Sequence, residues 1–296
     1  MSDKLIAEIA RAISAASGKP FQPKRRHDVT GGCINRSLGL HGEDGRRFFV
    51  KINRAAQLEM FAAEAAGLIE LDAAQAIRVP RPLTHGLAGD QSFLVIEFLD
   101  LVQADEIHGA RLGEQLARLH ATTWHAFGWN RDNTIGGTHQ ANPASRDWVE
   151  FYREQRLRPQ LALAARHGAA RGMIDLGEKL LAALTGFFHG YTPQPSLLHG
   201  DLWSGNAGAV GGNPVIFDPA VYYGDRETDI AMTELFGGFQ PSFYAAYNAA
   251  WPLDPGYATR KSLYQLYHLL NHFNLFGDAY ARQARQSIDH LLAELR

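Results

Sequence analysis

Three polar residues next to two short apolar runs have the types and spacing that phosphoryl transfer requires. Asp201 follows the first run, Asn206 comes five residues later, and Asp218 ends the second run. Phosphoryl transfer needs a carboxylate for the attacking hydroxyl, oxygen ligands for Mg²⁺, and a cation for the phosphates of the nucleotide. We therefore predict that Asp201 is the catalytic base and that Asn206 and Asp218 bind magnesium.

The same residues have a plainer interpretation, because Asp, Asn and Gly are common in turns. The apolar runs, residues 196–198 and 214–217, have the length of short strands. Adjacent strands would bring the three polar side chains to one end of a cleft. The complete set favours catalysis, whereas any one of these residues alone would favour a turn.

A lysine in the middle of an apolar strand provides the expected cation. Lys51 occupies that position, and lysine is rarely buried without a partner. Glu64, in the helix that follows, shares the apolar face of Phe61 and Leu68 and also needs a partner. We predict that Glu64 holds Lys51 towards the phosphates, as in kinases. Glu59 is the rival partner, and a snorkelling lysine on an edge strand is the plainer alternative.

The loop before this strand, residues 30–35, contains two adjacent glycines. Gly31 and Gly32 would let the backbone approach a ligand closely, so that amide groups could point at anions. The loop is neither a GxGxxG nor a Walker A sequence, and a simple turn between strands is the alternative. Its place just before the strand of Lys51 favours a loop that covers the phosphates.

The nucleotide base is expected where the character of the chain changes. Residues 96–99, which include Glu97 and Leu99, would pass the adenine and offer backbone groups to its edge. Because backbone contacts do not constrain side-chain type, this prediction rests on position alone.

Aromatic and polar residues near the catalytic loop are candidates for substrate binding. Trp203 lies inside that loop, where it could wall the sugar site or anchor the loop by packing, and we predict substrate contact. Trp129, Asp132 and Asn133 lie in a polar loop between helices, where binding residues concentrate. We predict that they line the substrate site, with loop capping as the alternative.

Three further residues have mainly structural interpretations. His268 and His272 have the i, i+4 spacing of zinc ligands, but no third ligand is near in the sequence. We interpret them as polar residues of a helix that could line the acceptor cleft. Asp229, at the start of a helix, is predicted to cap that helix or to brace the catalytic loop.

The elements that must position these residues fall into two groups. The first 98 residues predict a small antiparallel sheet with one long helix, and the remainder is mainly helical. This pattern indicates an α+β fold with two lobes and a cleft between them, where small ligands usually bind. We place a nucleotide-binding N-lobe at residues 1–98, and a C-lobe with the catalytic loop and acceptor site at 99–296. Helices of the C-lobe are predicted at 107–123, 145–168, 170–188, 226–236, 240–250, 257–276 and 279–295.

Composition excludes several classes of protein. A net charge of -2 gives no basic excess for a nucleic-acid backbone or an anionic membrane. The single cysteine, Cys33, excludes an intrachain disulfide and fits a reducing compartment. The first residues carry acidic side chains without an apolar core, and no run approaches the roughly 20 apolar residues of a membrane span. We predict a soluble, cytoplasmic protein, and the sequence does not indicate an oligomeric state.

The catalytic-loop string resembles a known group of enzymes. His-Gly-Asp followed by Asn206 and then Asp218-Pro219 is similar to aminoglycoside phosphotransferase-like kinases, which have a protein-kinase-like fold. The complete string at 199–206, His-Gly-Asp-Leu-Trp-Ser-Gly-Asn, resembles the fructosamine (ketosamine-3-kinase) family more specifically. Further similar segments occur at residues 31–35, 128–136, 147–157, 236–239 and 263–267. The resemblance extends from about residue 25 to about residue 290.

This resemblance implies an ATP- and Mg²⁺-dependent phosphotransferase with a small-molecule or protein-bound ketoamine as substrate. The phosphoryl group would go to the hydroxyl on the third carbon of the sugar, and the unstable product would lose the sugar, which repairs the amine. Bacterial-type members favour ribulosamines or erythrulosamines over fructosamines. Asp201, Asn206, Asp218, Lys51 and Glu64 match the family's base, metal ligands, phosphate lysine and paired glutamate. The chain departs from many relatives at residues 138–140, where Thr-His-Gln replaces Thr-Pro-Gln.

Two alternative functions remain open at this point. A related kinase for an aminoglycoside, choline or a homoserine-like acceptor would use the same catalytic residues, although Trp-Ser-Gly at 203–205 argues against it. A nucleotide sensor without catalysis would be expected to lack Asp201, Lys51 or a metal ligand, and all are present.

Overall fold

An antiparallel sheet of five strands forms the first part of the fold in the computed structural model, which describes residues 3–29, 34–102 and 106–295. The strands cross the sheet in an order that places the third in the centre and the first and fourth at the edges. The elements are α1 (Asp3–Ser17), β1 (Pro23–Val29), β2 (Arg36–Gly42), β3 (Arg47–Arg54), α2 (Leu58–Ala73), β4 (Pro82–Ala88) and β5 (Gln91–Glu97), with the sheet order β1-β2-β3-β5-β4.

Helices α1 and α2 cover opposite faces of this sheet. Successive residues of a strand point to opposite faces, and β5 shows the result. Phe93 and Val95 belong to the core shared with α1, whereas Leu94 and Ile96 belong to the core shared with α2. Lys51 is directly opposite Leu94 across β3 and β5. Its side chain is therefore on the face that α2 covers.

Helices and three short pairs of antiparallel strands, each of three or four residues, form most of the rest of the described chain. In chain order, the sixth strand pairs with the seventh, the eighth with the eleventh and the ninth with the tenth, and each pair is a separate two-stranded sheet. The elements are α3 (Glu106–His120), β6 (Asn133–Ile135), β7 (Thr138–Gln140), α4 (Trp148–Tyr152), α5 (Arg158–Arg166), α6 (Arg171–Ala183), β8 (Ser196–Leu198), β9 (Ala207–Val210), β10 (Asn213–Ile216), β11 (Tyr222–Gly224), α7 (Glu227–Leu235), α8 (Pro241–Ala250), α9 (Tyr257–Phe276) and α10 (Ala281–Glu294).

The α+β, two-lobed prediction is confirmed, with differences inside two helices. The helix predicted at 145–168 consists of α4, a π-helical turn at Arg153–Leu157, and α5. Pro159, near the start of α5, cannot donate to the preceding turn, and a π-turn accommodates that loss. The helix predicted at 170–188 ends at Ala183 and continues as a 3₁₀ segment. The boundary between residues 98 and 99 stays a prediction, next to the end of β5.

Helix α2 fixes the sheet to the C-lobe. A Cβ atom on Gly67 would lie 3.1 Å from the side chain of Val221, so the backbone of α2 approaches the C-lobe closely. One turn further on, the hydroxyl of Tyr223 donates to Glu70 Oε1 at 2.7 Å. The position of Glu64 in the cleft therefore depends on contacts with both lobes. No helix in the described ranges is both long and apolar enough to cross a membrane.

Candidate active site

A cavity of about 510 Å³ lies between the sheet and the helices of the C-lobe. Its walls come from both lobes, from β3 and α2 on one side and from the catalytic loop and α9 on the other. Residues that are far apart in the sequence converge here. Among the predicted site residues, those that line the cavity are Lys51, Glu64, Asn133, Asp201, Trp203, Asn206 and Asp218.

Lys51 is the buried cation of the cavity. Its Nζ donates to Glu64 Oε1 and to Asp218 Oδ1, both at 2.6 Å. Burial alone would lower the pKa of Lys51, but the two carboxylates outweigh burial and raise its pKa above the ordinary value. Lys51 is therefore charged at neutral pH, and Glu64 rather than Glu59 is its partner. Glu59 instead accepts a hydrogen bond from Arg131 at 3.1 Å.

A glycine and a buried carboxylate shape the loop that carries Asp201. Gly200 has φ +83°, and a Cβ atom there would lie 2.1 Å from the carbonyl oxygen of Ala220, so only glycine fits. Asp229, in the first turn of α7, accepts from the amides of His199 at 2.7 Å and Gly200 at 2.9 Å. Asp229 thus holds the loop, as predicted for a brace.

The imidazole of His199 also has one defined role in this loop. Its Nε2 donates to the carbonyl of Phe217 at 2.9 Å, and its Nδ1 accepts from the amide of Asp201 at 3.2 Å. A neutral ring with the proton on Nε2 satisfies both bonds. Burial lowers the pKa of His199 and so favours this neutral form. The ring ties the segment before Asp218 to the segment of Asp201.

The carboxyl group of Asp201 has an unusually high pKa. Burial, followed by the nearby charges of Asp218 and Asp229, raises the pKa of Asp201 to about 7. Asn206 Nδ2 donates to the backbone carbonyl of Asp201 at 2.9 Å and lies 3.4 Å from its Oδ2. A carboxyl group that titrates near neutral pH can accept a proton in one step and release it in a later one.

Asn206 and Asp218 supply oxygen atoms suited to Mg²⁺. The amide nitrogen of Asn206 is used by Asp201, so its Oδ1 is left for a cation. Asp218 has φ 57°, a left-handed conformation, and uses one carboxylate oxygen for Lys51. The described residues contain no group of three or more His, Cys, Asp or Glu side chains that could hold a metal. This donor set fits Mg²⁺, which is usually held by one or two protein oxygens together with substrate phosphates.

Trp203 lines the cavity and also covers the loop. A Cβ atom on Gly205 would lie 2.3 Å from the Trp203 ring, so the ring rests directly on the backbone of Gly205. The ring also lies nearly perpendicular to that of Phe236, with 6.4 Å between centroids. Trp203 as a whole is 37% exposed. The Leu-Trp-Ser-Gly sequence therefore combines a ring that faces the cavity with the glycine that gives the ring room; its contact with substrate stays a prediction.

Of three predicted substrate residues, one is buried in the core and two have hydrogen-bond partners within the protein. Trp129 is buried in the core and does not line the cavity. Asp132 accepts from the amide of Asn142 at 2.9 Å, lies 3.1 Å from His139 Nε2, and is also outside the cavity lining. Both predictions of substrate contact are therefore not supported by the geometry. Asn133 does line the cavity, but its Nδ2 donates to the carbonyl of Val221 at 2.7 Å, which makes it a wall.

The remaining predicted contacts concern the nucleotide. The side chain of Glu97 binds Arg78 through both carboxylate oxygens, and its amide donates to the carbonyl of Arg81 at 2.8 Å. The carbonyl of Leu99 accepts from the amide of Leu101 at 3.0 Å. Neither residue lines the cavity, so their contact with adenine stays a prediction. Gly31 and Gly32 lie outside the described residues.

Sequence reasoning missed part of the C-lobe wall. Phe236, Phe276 and Tyr280 line the cavity beside Trp203 and His272. The i, i+4 spacing of His272 and Phe276 on one helix face was the available signal, but it does not distinguish a cavity wall from a core.

Comparisons with known proteins agree over nearly the whole chain. The family model for fructosamine kinase matches residues 5–294. A probable ketoamine kinase from Synechocystis sp. is 47% identical over 287 residues, which cover 96% of each chain. The chloroplastic protein-ribulosamine 3-kinase of Arabidopsis thaliana is 43% identical over 284 residues, 94% of this chain and 86% of that one.

Solved structures show the same fold. A putative fructosamine-3-kinase from Haemophilus somnus 129PT superposes with a TM-score of 0.91 at 30% identity, over 98% of each chain. The ADP-bound aminoglycoside phosphotransferase APH(2'')-Ib is only 11% identical, with a TM-score of 0.63. At that identity the likeness concerns the fold alone, and it confirms the kinase-like architecture predicted from the catalytic loop.

Proposed function

Because this chain belongs to the fructosamine kinase family, we propose that it transfers the γ-phosphoryl group of ATP to the third-carbon hydroxyl of a ketosamine. The acceptor is a ribulosamine, erythrulosamine or fructosamine, free or attached to a protein. The names of the relatives from Synechocystis and Arabidopsis support this substrate class. The observation that carries the proposal is the convergence of Asp201, Asn206, Asp218 and the Lys51–Glu64 pair on one cavity.

The residues of the cavity divide the chemistry between them. Asp201 takes the proton of the attacking hydroxyl as the new bond from the sugar oxygen to the γ-phosphorus forms. The bond from that phosphorus to the β–γ bridging oxygen breaks, and ADP leaves with the electron pair. Lys51, held by Glu64, places its ammonium group against the phosphates. Asn206 and Asp218 would hold Mg²⁺, which neutralises phosphate charge when it is bound.

The distribution of carboxylates disfavours a polycationic acceptor. The cavity lining contains three of them, Glu64, Asp201 and Asp218, in the described part of the chain. Two of these are paired with Lys51. An aminoglycoside site would need further acidic groups at the acceptor end to bind several ammonium groups.

We assign the nucleotide to the lobe at residues 1–98 and the acceptor to the lobe at residues 99–296. A cytoplasmic location stays a prediction.

A panel of acceptors tests the proposal. ADP release would be followed with ATP and Mg²⁺ in the presence of ribulosyl-lysine, erythrulosyl-lysine, fructosyl-lysine, choline or kanamycin. We expect turnover with the ketoamines alone, and the same reactions without Mg²⁺ should be inactive. Turnover with choline or kanamycin alone would keep the kinase mechanism and overturn the substrate. ATP binding without turnover on any acceptor would indicate a sensor.

A further inference from the structure

The acceptor end of the cavity has a wall made almost entirely of rings, which we call the aromatic wall. It consists of Trp203, Phe236, His272, Phe276 and Tyr280, and all of them line the cavity. His272 is its centre, with ring centroids 4.6 Å from Phe236 and 5.0 Å from Tyr280. Phe276 is 48% exposed and forms the rim. These side chains come from the catalytic loop, from the segment after α7, and from the end of α9 and the turn that follows.

The hydrogen bonding of His272 leaves one ring nitrogen as an acceptor. Its Nδ1 donates to the carbonyl of His268 at 2.8 Å, so this nitrogen carries the proton. Burial lowers the pKa of His272, which keeps the ring neutral at neutral pH. Within the described residues, Nε2 has no hydrogen-bond partner. The aromatic wall therefore presents π faces and one neutral acceptor, without a fixed charge.

A ketoamine places its nitrogen close to this wall. The amine is on the carbon at one side of the ketone, and the hydroxyl that is phosphorylated is on the carbon at the other side. When that hydroxyl lies at Asp201, the nitrogen must lie a short distance away, and Trp203 follows Asp201 by two residues in the same loop. A secondary alkylamine is protonated at neutral pH, as lysine is. A cation at this position is favoured by ring faces, because their π electrons attract positive charge.

We propose, on the basis of the function proposed above, that the aromatic wall recognises the protonated amine of the ketoamine. The ammonium group lies against the faces of Trp203 and Phe236 and donates to Nε2 of His272. The substituent on nitrogen leaves the cavity across Phe276. A single ammonium group is bound by this wall through cation–π contacts rather than by a carboxylate, so the wall selects amino-linked sugars over free ketoses and over polycations.

A matched pair of acceptors tests this recognition. One is a ribulosamine, and the other is the same sugar with an ether oxygen in place of the amine nitrogen, which removes only the charge and the N–H groups. For Phe236→Leu and His272→Leu, we expect kcat/KM for the ribulosamine to fall about 2- to 30-fold, as the loss of one cation–π contact or one hydrogen bond to a charged group allows. The value of kcat/KM for the ether should change less than about 2-fold, because the ether has no charged amine whose contact could be lost.

Two further variants separate recognition from folding. Phe236→Tyr keeps a ring face and should keep the preference for the amine. Phe239→Leu is the matched control, because Phe239 packs on Phe243 at 4.9 Å outside the cavity lining, and the preference should not change. Melting temperatures and ADP binding would be measured for every variant.

The possible outcomes distinguish this inference from the proposed function. Suppose that the wild-type protein acts on the ribulosamine but Phe236→Leu lowers kcat/KM equally for both acceptors. The wall then provides shape alone and amine recognition is wrong, while the kinase function stands. An unchanged preference in His272→Leu would also overturn amine recognition. A wild-type protein that phosphorylates no ketoamine would overturn both.

Discussion

Replacement of Lys51 by methionine tests the electrostatic arrangement of the cleft. The change removes one buried cation, keeps a long apolar side chain, and leaves two carboxylates without their partner. Lys51 and Glu64 have side chains only 5% and 11% exposed, whereas Asp218 is 41% exposed and can be hydrated. Removal of one member of a buried ion pair destabilises proteins by about 3–5 kcal/mol. Because Asp218 is partly hydrated, we expect about 3 kcal/mol in the free energy of unfolding.

The loss of stability should depend on pH. Burial already raises the pKa of Glu64 in the wild-type protein, and Lys51 partly offsets this. Removal of Lys51 therefore raises the pKa further above its unfolded value of about 4.3, so the folded variant holds a proton over a wider pH range than the wild type does. Stability that depends on such a proton is present below the unfolded pKa and is lost as pH rises through the folded pKa. The difference from wild type, measured by denaturant unfolding without nucleotide, should therefore be larger at pH 7 than at pH 5.

The double variant Lys51→Met, Glu64→Gln is the control for this prediction. Glutamine keeps the shape of Glu64 but has no charge to bury, so the double variant should regain at least half of the lost stability. Kinase activity should be low in both variants, because neither has the cation for the phosphates. Destabilisation below about 1 kcal/mol, where exposed ion pairs lie, would contradict the burial of this pair. A double variant no more stable than Lys51→Met would refute the role of Glu64.

Three other changes test the catalytic loop. Gly200→Ala should remove most activity and destabilise the protein by about 1–3 kcal/mol, because the new methyl group meets the carbonyl of Ala220 in a left-handed backbone. Measurements of kcat and of thermal unfolding would detect both effects, and wild-type kinetics would contradict this prediction. Asp229→Asn should lower kcat with little change in KM for ATP, since one of its bonds to the loop amides at His199 and Gly200 is weakened. A rise in KM for ATP as large as the fall in kcat would indicate a role in nucleotide binding instead. Asp201→Asn should stabilise the nucleotide-free protein above neutral pH by at most about 4 kcal/mol, because the raised pKa of Asp201 costs stability as pH rises from about 3.9 through about 7. A constant difference between pH 4 and pH 8 would contradict that pKa.

The sequence was most informative where a residue type conflicted with its surroundings. Lys51 in an apolar strand and Glu64 on an apolar helix face each predicted a partner, and the structure pairs them. The catalytic-loop string predicted Asp201, Asn206 and Asp218 at one place, and all three line the cavity. Such predictions depend on chemistry that has few alternatives, because buried charges need partners.

Sequence reasoning was weaker where polar residues had several possible partners. Asp132 and Trp129 come from a loop of the kind that often binds ligands, yet one caps a loop and the other is buried in the core. The aromatic wall could not be predicted, because Phe236 and Tyr280 are separated by two helices, α8 and α9, and meet only through tertiary packing. The predicted adenine contact at Glu97 and Leu99 depends on backbone groups, which the sequence does not specify.

The site of phosphorylation on the sugar tests the central claim most directly. Ribulosyl-lysine would be incubated with the protein, ATP and Mg²⁺, and the product examined by phosphorus–proton correlation NMR, with Asp201→Asn in parallel. We expect a single phosphate on the third carbon in the wild-type reaction, and almost none with Asp201→Asn. Phosphate at another position, or a wild-type rate in Asp201→Asn, would contradict a ketosamine 3-kinase that uses Asp201 as its base.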